Sequence, residues 1–411
     1  MRARSAWIVG GACAALLGAL MLFHGFDPWR YPNDDNGAWF SAVAKSHLGA
    51  GLRATRGQDF FTSRGTGELV PYLHHPPLPG LILAASFGVT GSDSPGVARM
   101  TFALLHLVTF AILASLAAQA WDPVRQRLLF AWVLVVAAAV PMSAFYGKMP
   151  NHEVPGLLFF LLGVRLWGFR SGPASGRDAV LACLAWSGAV FSSWHAVLCI
   201  LGWLAMQWDP KQRRRVYSAV LWVFAVLSIV LVQLLWAGGW RLLDSQSKSA
   251  GRWFAGSDGA ALAERLGFLN HALGIGINRF GQFPAFLCIG WLLAVAYRSI
   301  RERRVPGLQE RNLIGLGLGS MIYYVLFPRA VAFHAYQGFY VIPFVALTSA
   351  VALSRLENLP FVSGRARLRK GIPAVLLCLT CIIGVVSTVL MYRAPSPRVL
   401  EAVHALQTQY R

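Results

Sequence analysis

Several short segments of the sequence gather side chains that exchange protons or ligate ions. Asp34 and Asp35 stand together in Tyr31-Pro32-Asn33-Asp34-Asp35-Asn36-Gly37-Ala38-Trp39. Such a pair can do acid–base work, or can solvate a turn beyond a helix end. His74 and His75 precede Pro76 and Pro77, where two imidazoles suit ligation or hydrogen bonding at a membrane surface. The run from Tyr146 to Pro155 holds Lys148, His152 and Glu153, and a carboxylate at the mouth of a helix also gains from the macrodipole. Trp194-His195 and the segment bearing Arg329, His334 and Tyr336 complete the set.

What must position these residues is a membrane protein. The 411 residues are 56% hydrophobic and 13% charged, too little polar surface to solvate a globular domain of this size. The net charge of +20 comes from Lys and Arg clustered between apolar runs, an arrangement that orients membrane segments and does not mark nucleic-acid binding. All six cysteines fall inside apolar runs, so neither disulfides nor a zinc site is indicated, and Cys378-x-x-Cys381 reads as packing.

A crossing takes roughly 20 residues. The run 6–26 follows Arg2 and Arg4 and leads outward from a cytoplasmic N-terminus; its length, with no cleavage site before Asp27, argues against a signal peptide. Residues 27–95 form a long extracytoplasmic loop carrying the paired acids, in which 76–89 is too short to span and reads as interfacial or re-entrant. The runs 97–120, 128–146, 154–169, 179–193, 195–208, 216–237, 283–298, 312–327, 336–353 and 372–392 then alternate across the bilayer. The result is a single all-α, polytopic domain over 1–411 with about eleven transmembrane helices. Its cytoplasmic connections are short and basic, as at Arg125 and Arg127, Arg170 and Arg177, Lys211 with Arg213 to Arg215, Arg301 with Arg303 and Arg304, and Arg365 to Lys370. The alternation requires 178–208 to break into two short helices at Ser192-Ser193-Trp194-His195. A second extracytoplasmic loop, 238–282, sets Leu262, Leu266, Leu269 and Leu273 at helical spacing with Glu264 and Arg265 off the stripe, an interfacial helix by pattern. Sorted this way, the acids, imidazoles and Arg329 gather at one membrane face, where ionisable groups are costly and are usually kept for function.

The ordered set of motifs resembles a bacterial branch of the GT-C glycosyltransferases, relatives of protein O-mannosyltransferases and aminoarabinose transferases. It comprises D-x-N-G-A at Asp34 to Ala38, H-H-P-P-L at His74 to Leu78, the A-R at Arg99, M-x-x-H-E-x-P at Met149 to Pro155, and H-x-Y then Pro at His334, Tyr336 and Pro343. The resemblance implies an enzyme of the bacterial cytoplasmic membrane with its active site on the extracytoplasmic side. Its co-substrate would be a sugar linked to a polyprenyl phosphate, and its acceptor an envelope glycolipid, glycan or protein. By position in the pattern Asp34 is the candidate base and Asp35 the second, with Glu153 orienting the acceptor or an ion. Arg99 and Arg329 are candidates to meet the leaving phosphate. His74, His75, Lys148, His334 and Tyr336 would line the substrate site. A divalent cation is possible, with Asp34, His74, Glu153 and His334 as candidate ligands. The sequence departs from the pattern at Asp35, where many relatives have Glu, and at Ser193, where Asp is expected before Trp194; no soluble C-terminal domain is expected. The rival classes are a transporter of lipid-linked sugars, which would show repeats and broken helices, and a non-catalytic protein of the same fold.

Overall fold

The computed structural model describes residues 2–409 apart from 33, 64, 73–74, 121–126, 170–174, 209, 211, 240–266, 268–269, 272–273, 275–277, 279, 358–365 and 394. In chain order its elements are α1 (Arg2–Leu22), α2 (Asp34–Thr55), β1 (Phe60–Thr62), β2 (Leu69–Pro71), α3 (Leu78–Thr90), α4 (Pro95–Ala120), α5 (Arg127–Ala139) and α6 (Pro141–Tyr146). There follow α7 (Glu153–Trp167), α8 (Gly176–Val190), α9 (Trp194–Met206), α10 (Arg213–Gly238), α11 (Gln282–Arg301) and α12 (Leu308–Leu326). The chain closes with α13 (Pro328–Phe333), a 3-10 turn (Ala335–Val341), α14 (Ile342–Glu357), α15 (Ala366–Leu390) and α16 (Pro397–Gln409).

Among the described residues five helices are long and apolar enough to cross a membrane: Pro95–Ala120, Arg213–Gly238, Gln282–Arg301, Tyr336–Arg355 and Gly371–Leu390. Shorter apolar helices, Ile8–Leu22, Leu78–Thr90, Leu128–Ala139 and Trp194–Met206, stand among them. The protein is thus a multi-pass, helical membrane protein.

The break expected near residue 192 is present. α8 ends at Val190, Ser193 is extended, and α9 begins at Trp194. The run 128–146, expected as one helix, is instead divided at Val140-Pro141. Proline sterically drives the residue before it out of the helical region, and Val140 is extended (φ −64°, ψ 138°). The proline-rich piece at 76–89 folds as α3, with Pro77 at its N-cap and Pro79 in its first turn, where a missing N–H leaves no bond unmade, and Gly91 at φ 65° closing its end. Two elements were not expected. β1 and β2 pair antiparallel, Phe60 opposite Pro71, and tie to α2 through a Thr62–Ser46 hydrogen bond of 2.9 Å. The helix α16 buries Val399, Val403 and Leu406 and is pinned where Ser396 N–H donates to the Arg30 carbonyl at 2.7 Å. The stripe from Leu262 to Leu273, with Glu264 and Arg265, lies outside the described residues.

Close packing holds the bundle. α9 meets α12 backbone to backbone: a Cβ on Gly202 would sit 2.6 Å from the Gly319 nitrogen, and one on Gly319 would collide with Leu198 and Cys199 backbone. Small residues allow this approach where lipid offers no hydrophobic drive between helices. Gly319→Ala is therefore expected to lower stability by roughly 1–3 kcal/mol, the range for overpacking. A melting curve in detergent indistinguishable from the native one would refute the close contact.

Candidate active site

The start of α2 is fixed by a buried ion pair. Asp34 Oδ2 accepts hydrogen bonds from Tyr31 N at 2.9 Å, Arg30 N at 3.0 Å and the Arg99 guanidinium at 2.8 Å, while Oδ1 makes none among the described residues. Arg99 also donates to the carbonyls of Gly25, Asp27 and Pro28 and lies over the Trp29 ring at 4.3 Å. Asp34 is 4% exposed and Arg99 2%. A side chain at Gly37 would strike Trp29, which accounts for the glycine in the motif. Lys148 closes the other side, donating to the Phe23 carbonyl with its ammonium 4.5 Å from the Tyr392 ring. Burial, helped by the Arg99 charge, pushes Lys148 down to about 7. Asp27 is held well below the ordinary carboxylate range by hydrogen bonds from Tyr31, Arg30 and His24.

Next to this knot runs a wall of rings. Trp39 stacks with Tyr72 at 6.0 Å, Tyr72 meets His75 at 5.9 Å, and His75 stacks on His152 at 3.9 Å. Tyr336 presents an edge contact to His152 at 5.8 Å and lies 5.4 Å from His334. His152 Nε2 is 3.1 Å from Glu153 Oε1, and Ser193 Oγ donates to Glu153 Oε2 at 2.9 Å. Asn151 Oδ1 caps α7, accepting from the Glu153 and Val154 amides at 2.8 and 3.0 Å. Glu153 is therefore free of the capping duty that its place in the sequence allowed.

Asp35 lies at the edge of this wall. Burial raises its carboxyl above the ordinary range, opposed by its own backbone N–H and by Arg398 of α16. Burial, together with His152 and Arg398, pushes His334 down to about 4. The structure thus gathers Asp34, Arg99 and Lys148 in one cluster, and Asp35, His75, Glu153, His334 and Tyr336 around the next. His74 lies outside the described residues; Arg329 stands in α13, its side chain outside them too. Sequence reasoning missed His152 as a site residue, although the His-Glu doublet was in view. It also missed Arg398, which is exposed and, among the described residues, makes no hydrogen bond or ion pair; nothing in the sequence signalled that α16 folds back onto α2.

The described acids and imidazoles do not fit a divalent cation, which needs several ligand atoms free at one point. No three His, Cys, Asp or Glu side chains converge for one among the described residues. Asp34 Oδ2 is taken by Arg99, and the two oxygens of Glu153 face His152 and Ser193.

Beneath Tyr72 a further buried pair supports the wall. His47 Nε2 is 3.6 Å from Asp59 Oδ1, and His47 Nδ1 is 2.9 Å from Thr55 Oγ1. The Asp59 carbonyl accepts from Tyr72 N at 2.8 Å. Burial pushes Asp59 up to about 6 against the pull of His47. A carboxyl raised on folding stabilises the fold in its protonated form, fully below about pH 4, and that contribution is lost as pH rises through about 6. Hydrogen exchange of the hairpin amides is thus expected to quicken between those values beyond its intrinsic rate, and Asp59→Asn to remove the extra slope. An unchanged slope in the variant would rule this out.

With this geometry in view, the chain has the fold of the GT-C membrane glycosyltransferases. It is similar to the Archaeoglobus fulgidus oligosaccharyltransferase in its complex with zinc and sulfate (TM-score 0.58, 13% identity), covering 95% of this chain and 53% of that one. It is equally similar to ArnT from Cupriavidus metallidurans bound to undecaprenyl phosphate (TM-score 0.58, 15% identity, 97% of this chain and 74% of that one). Apo ArnT matches with a TM-score of 0.52 and 16% identity over 98% and 74% of the two chains. The chain spans about half the length of the oligosaccharyltransferase. No protein-family model matches it. A sequence comparison with curated proteins finds no match either.

Proposed function

We propose that the protein is a glycosyltransferase that moves a sugar from a polyprenyl-phosphate donor to an acceptor hydroxyl on the extracytoplasmic face of a bacterial cytoplasmic membrane, with inversion. The proposal includes the eleven-crossing topology and a cytoplasmic N-terminus. The observation that carries it is the Asp34–Arg99 knot beside the ring-lined wall, on a fold whose solved examples include one bound to undecaprenyl phosphate. Aromatic faces such as Trp39, Tyr72 and Tyr336 suit the apolar faces of a sugar ring.

In such a transfer the acceptor oxygen forms a bond to the anomeric carbon as the bond to the phosphate oxygen breaks, its electron pair leaving with the phosphate. Asp34, anchored through one oxygen, places its free oxygen and a fixed negative charge where the anomeric carbon becomes electron-poor. Arg99 has its two terminal nitrogens engaged, so we assign it the task of holding Asp34 and give the phosphate to Arg398 and Arg329. Asp35 binds the sugar hydroxyls, and Glu153 orients the attacking hydroxyl through His152. The lipid-linked donor is thus the co-substrate, and the acceptor is an envelope glycolipid, glycan or protein.

The test is release of free polyprenyl phosphate by the protein in nanodiscs from a panel of polyprenyl-phosphate sugars, with Asp34→Asn alongside and with chelator in one arm. Release that is lost in Asp34→Asn and unaffected by chelator is the expected result. No release from any donor, with lipid-linked sugar crossing a sealed vesicle instead, would replace this reading with transport.

A further inference from the structure

Behind the His152–Glu153 pair lies a second polar cluster that the reaction above leaves unused. It is built from α9 and the 3-10 turn, against α7 and α12. Glu153, Ser193, His195 and Tyr340 are at most 1% exposed and Gln337 6%. Among the described residues neither ring nitrogen of His195 has a hydrogen-bond partner, nor have the Tyr340 hydroxyl, the Gln337 side-chain oxygen or Glu153 Oε1. The His195 ring stacks on Tyr323 at 4.0 Å and lies 4.6 Å from the Tyr340 ring. The Tyr340 hydroxyl rests against Gly156, one turn along α7 from Glu153, in the place a Cβ would occupy and next to Ser193.

A buried polar atom without a partner loses its hydration and gains nothing in return. Four of them gather around one carboxylate. Proteins meet that demand with internal water held by two to four polar groups. The cluster ends at Tyr323 in the last turn of α12, which is only half-buried.

We propose that Ser193, His195, Gln337 and Tyr340 enclose ordered water, and that Ser193, His195 and Tyr340 with that water form a proton relay from the His152–Glu153 pair to the surface at Tyr323. The inference rests on the transferase reading. As the acceptor oxygen bonds to the anomeric carbon, its proton passes to His152 Nδ1, which makes no hydrogen bond among the described residues. The Nε2 proton moves toward Glu153 Oε1, the electron pair of the broken bond leaves with the phosphate, and the relay returns the proton to solvent. His152 is then the catalytic residue, Asp34 acts through its charge, and Ser193, His195 and Tyr340 are relay residues. Each relay partner can both give and take a proton.

Tyr340→Phe is the informative variant, because it keeps the ring and removes only the unpartnered hydroxyl. A relay predicts at least a tenfold fall in kcat for polyprenyl-phosphate release, an unchanged KM for the donor and a larger solvent deuterium isotope effect; His195→Gln should behave alike. A merely buried hydroxyl predicts a higher melting temperature with native kcat and isotope effect, and that result would overturn the relay alone. If the native protein releases no polyprenyl phosphate, the transferase reading fails first. A density map fine enough to show water then decides the hydration: ordered water on His195 and Tyr340 supports it, and a dry cluster overturns it.

Discussion

Arg99→Met should lower the stability of the folded protein by about 3–5 kcal/mol, the range for removing one partner of a buried ion pair. Methionine keeps much of the aliphatic stem, so the loss isolates the guanidinium. Without it Asp34 is left as a charge with only two backbone amides, and the carbonyls of Gly25, Asp27 and Pro28 lose their shared donor. Arg99→Lys should recover only part of this, since a single ammonium replaces the charge but cannot reach several carbonyls at once. Thermal melting in detergent gives the size of the effect, and Trp29, directly under the guanidinium, gives a local fluorescence signal. Native melting of Arg99→Met would show that the knot holds nothing.

The other large effect is catalytic. Glu153→Gln should cut the rate of polyprenyl-phosphate release by roughly 10²–10⁴, the span usual for general acid–base groups, with melting close to native. The amide is isosteric and can still accept from Ser193, so the fold has no reason to fail; what disappears is the charge that accompanies a protonated His152. His152→Gln should fall as far, and the double variant little further, because residues that act as one unit are not additive. Losses that multiply in the double variant would separate the two residues and end the claim that they work together.

Much of the helical framework was legible in the sequence because membrane helices obey a one-dimensional rule. Apolar length and flanking charge located the long helices and the break before Trp194. Val140-Pro141 escaped because hydropathy runs smoothly through it, although proline's effect on its predecessor was readable there. Motif singled out Asp34, Arg99, Glu153 and His334 as candidates, but not their partners. That Arg99 grips three carbonyls, or that Asn151 relieves Glu153 of capping, depends on distances that spacing does not encode. Arg398 was invisible for a similar reason: α16 is amphipathic and not apolar, and its seat on α2 comes from tertiary packing.

The turn from Ala335 to Val341 is wound as a 3-10 helix, and the pitch decides where its two tyrosines point. At about three residues per turn, Tyr336 and Tyr340 are rotated roughly 120° from each other, whereas at about 3.6 per turn they would differ by only 40° and share a face. The tighter coil sends Tyr336 to His152 and His334 and Tyr340 to His195 and Phe160. One short coil thereby supplies a ring to each of two separate clusters. A substitution that let it relax to the wider pitch would swing one ring out of its cluster without altering any other residue of either.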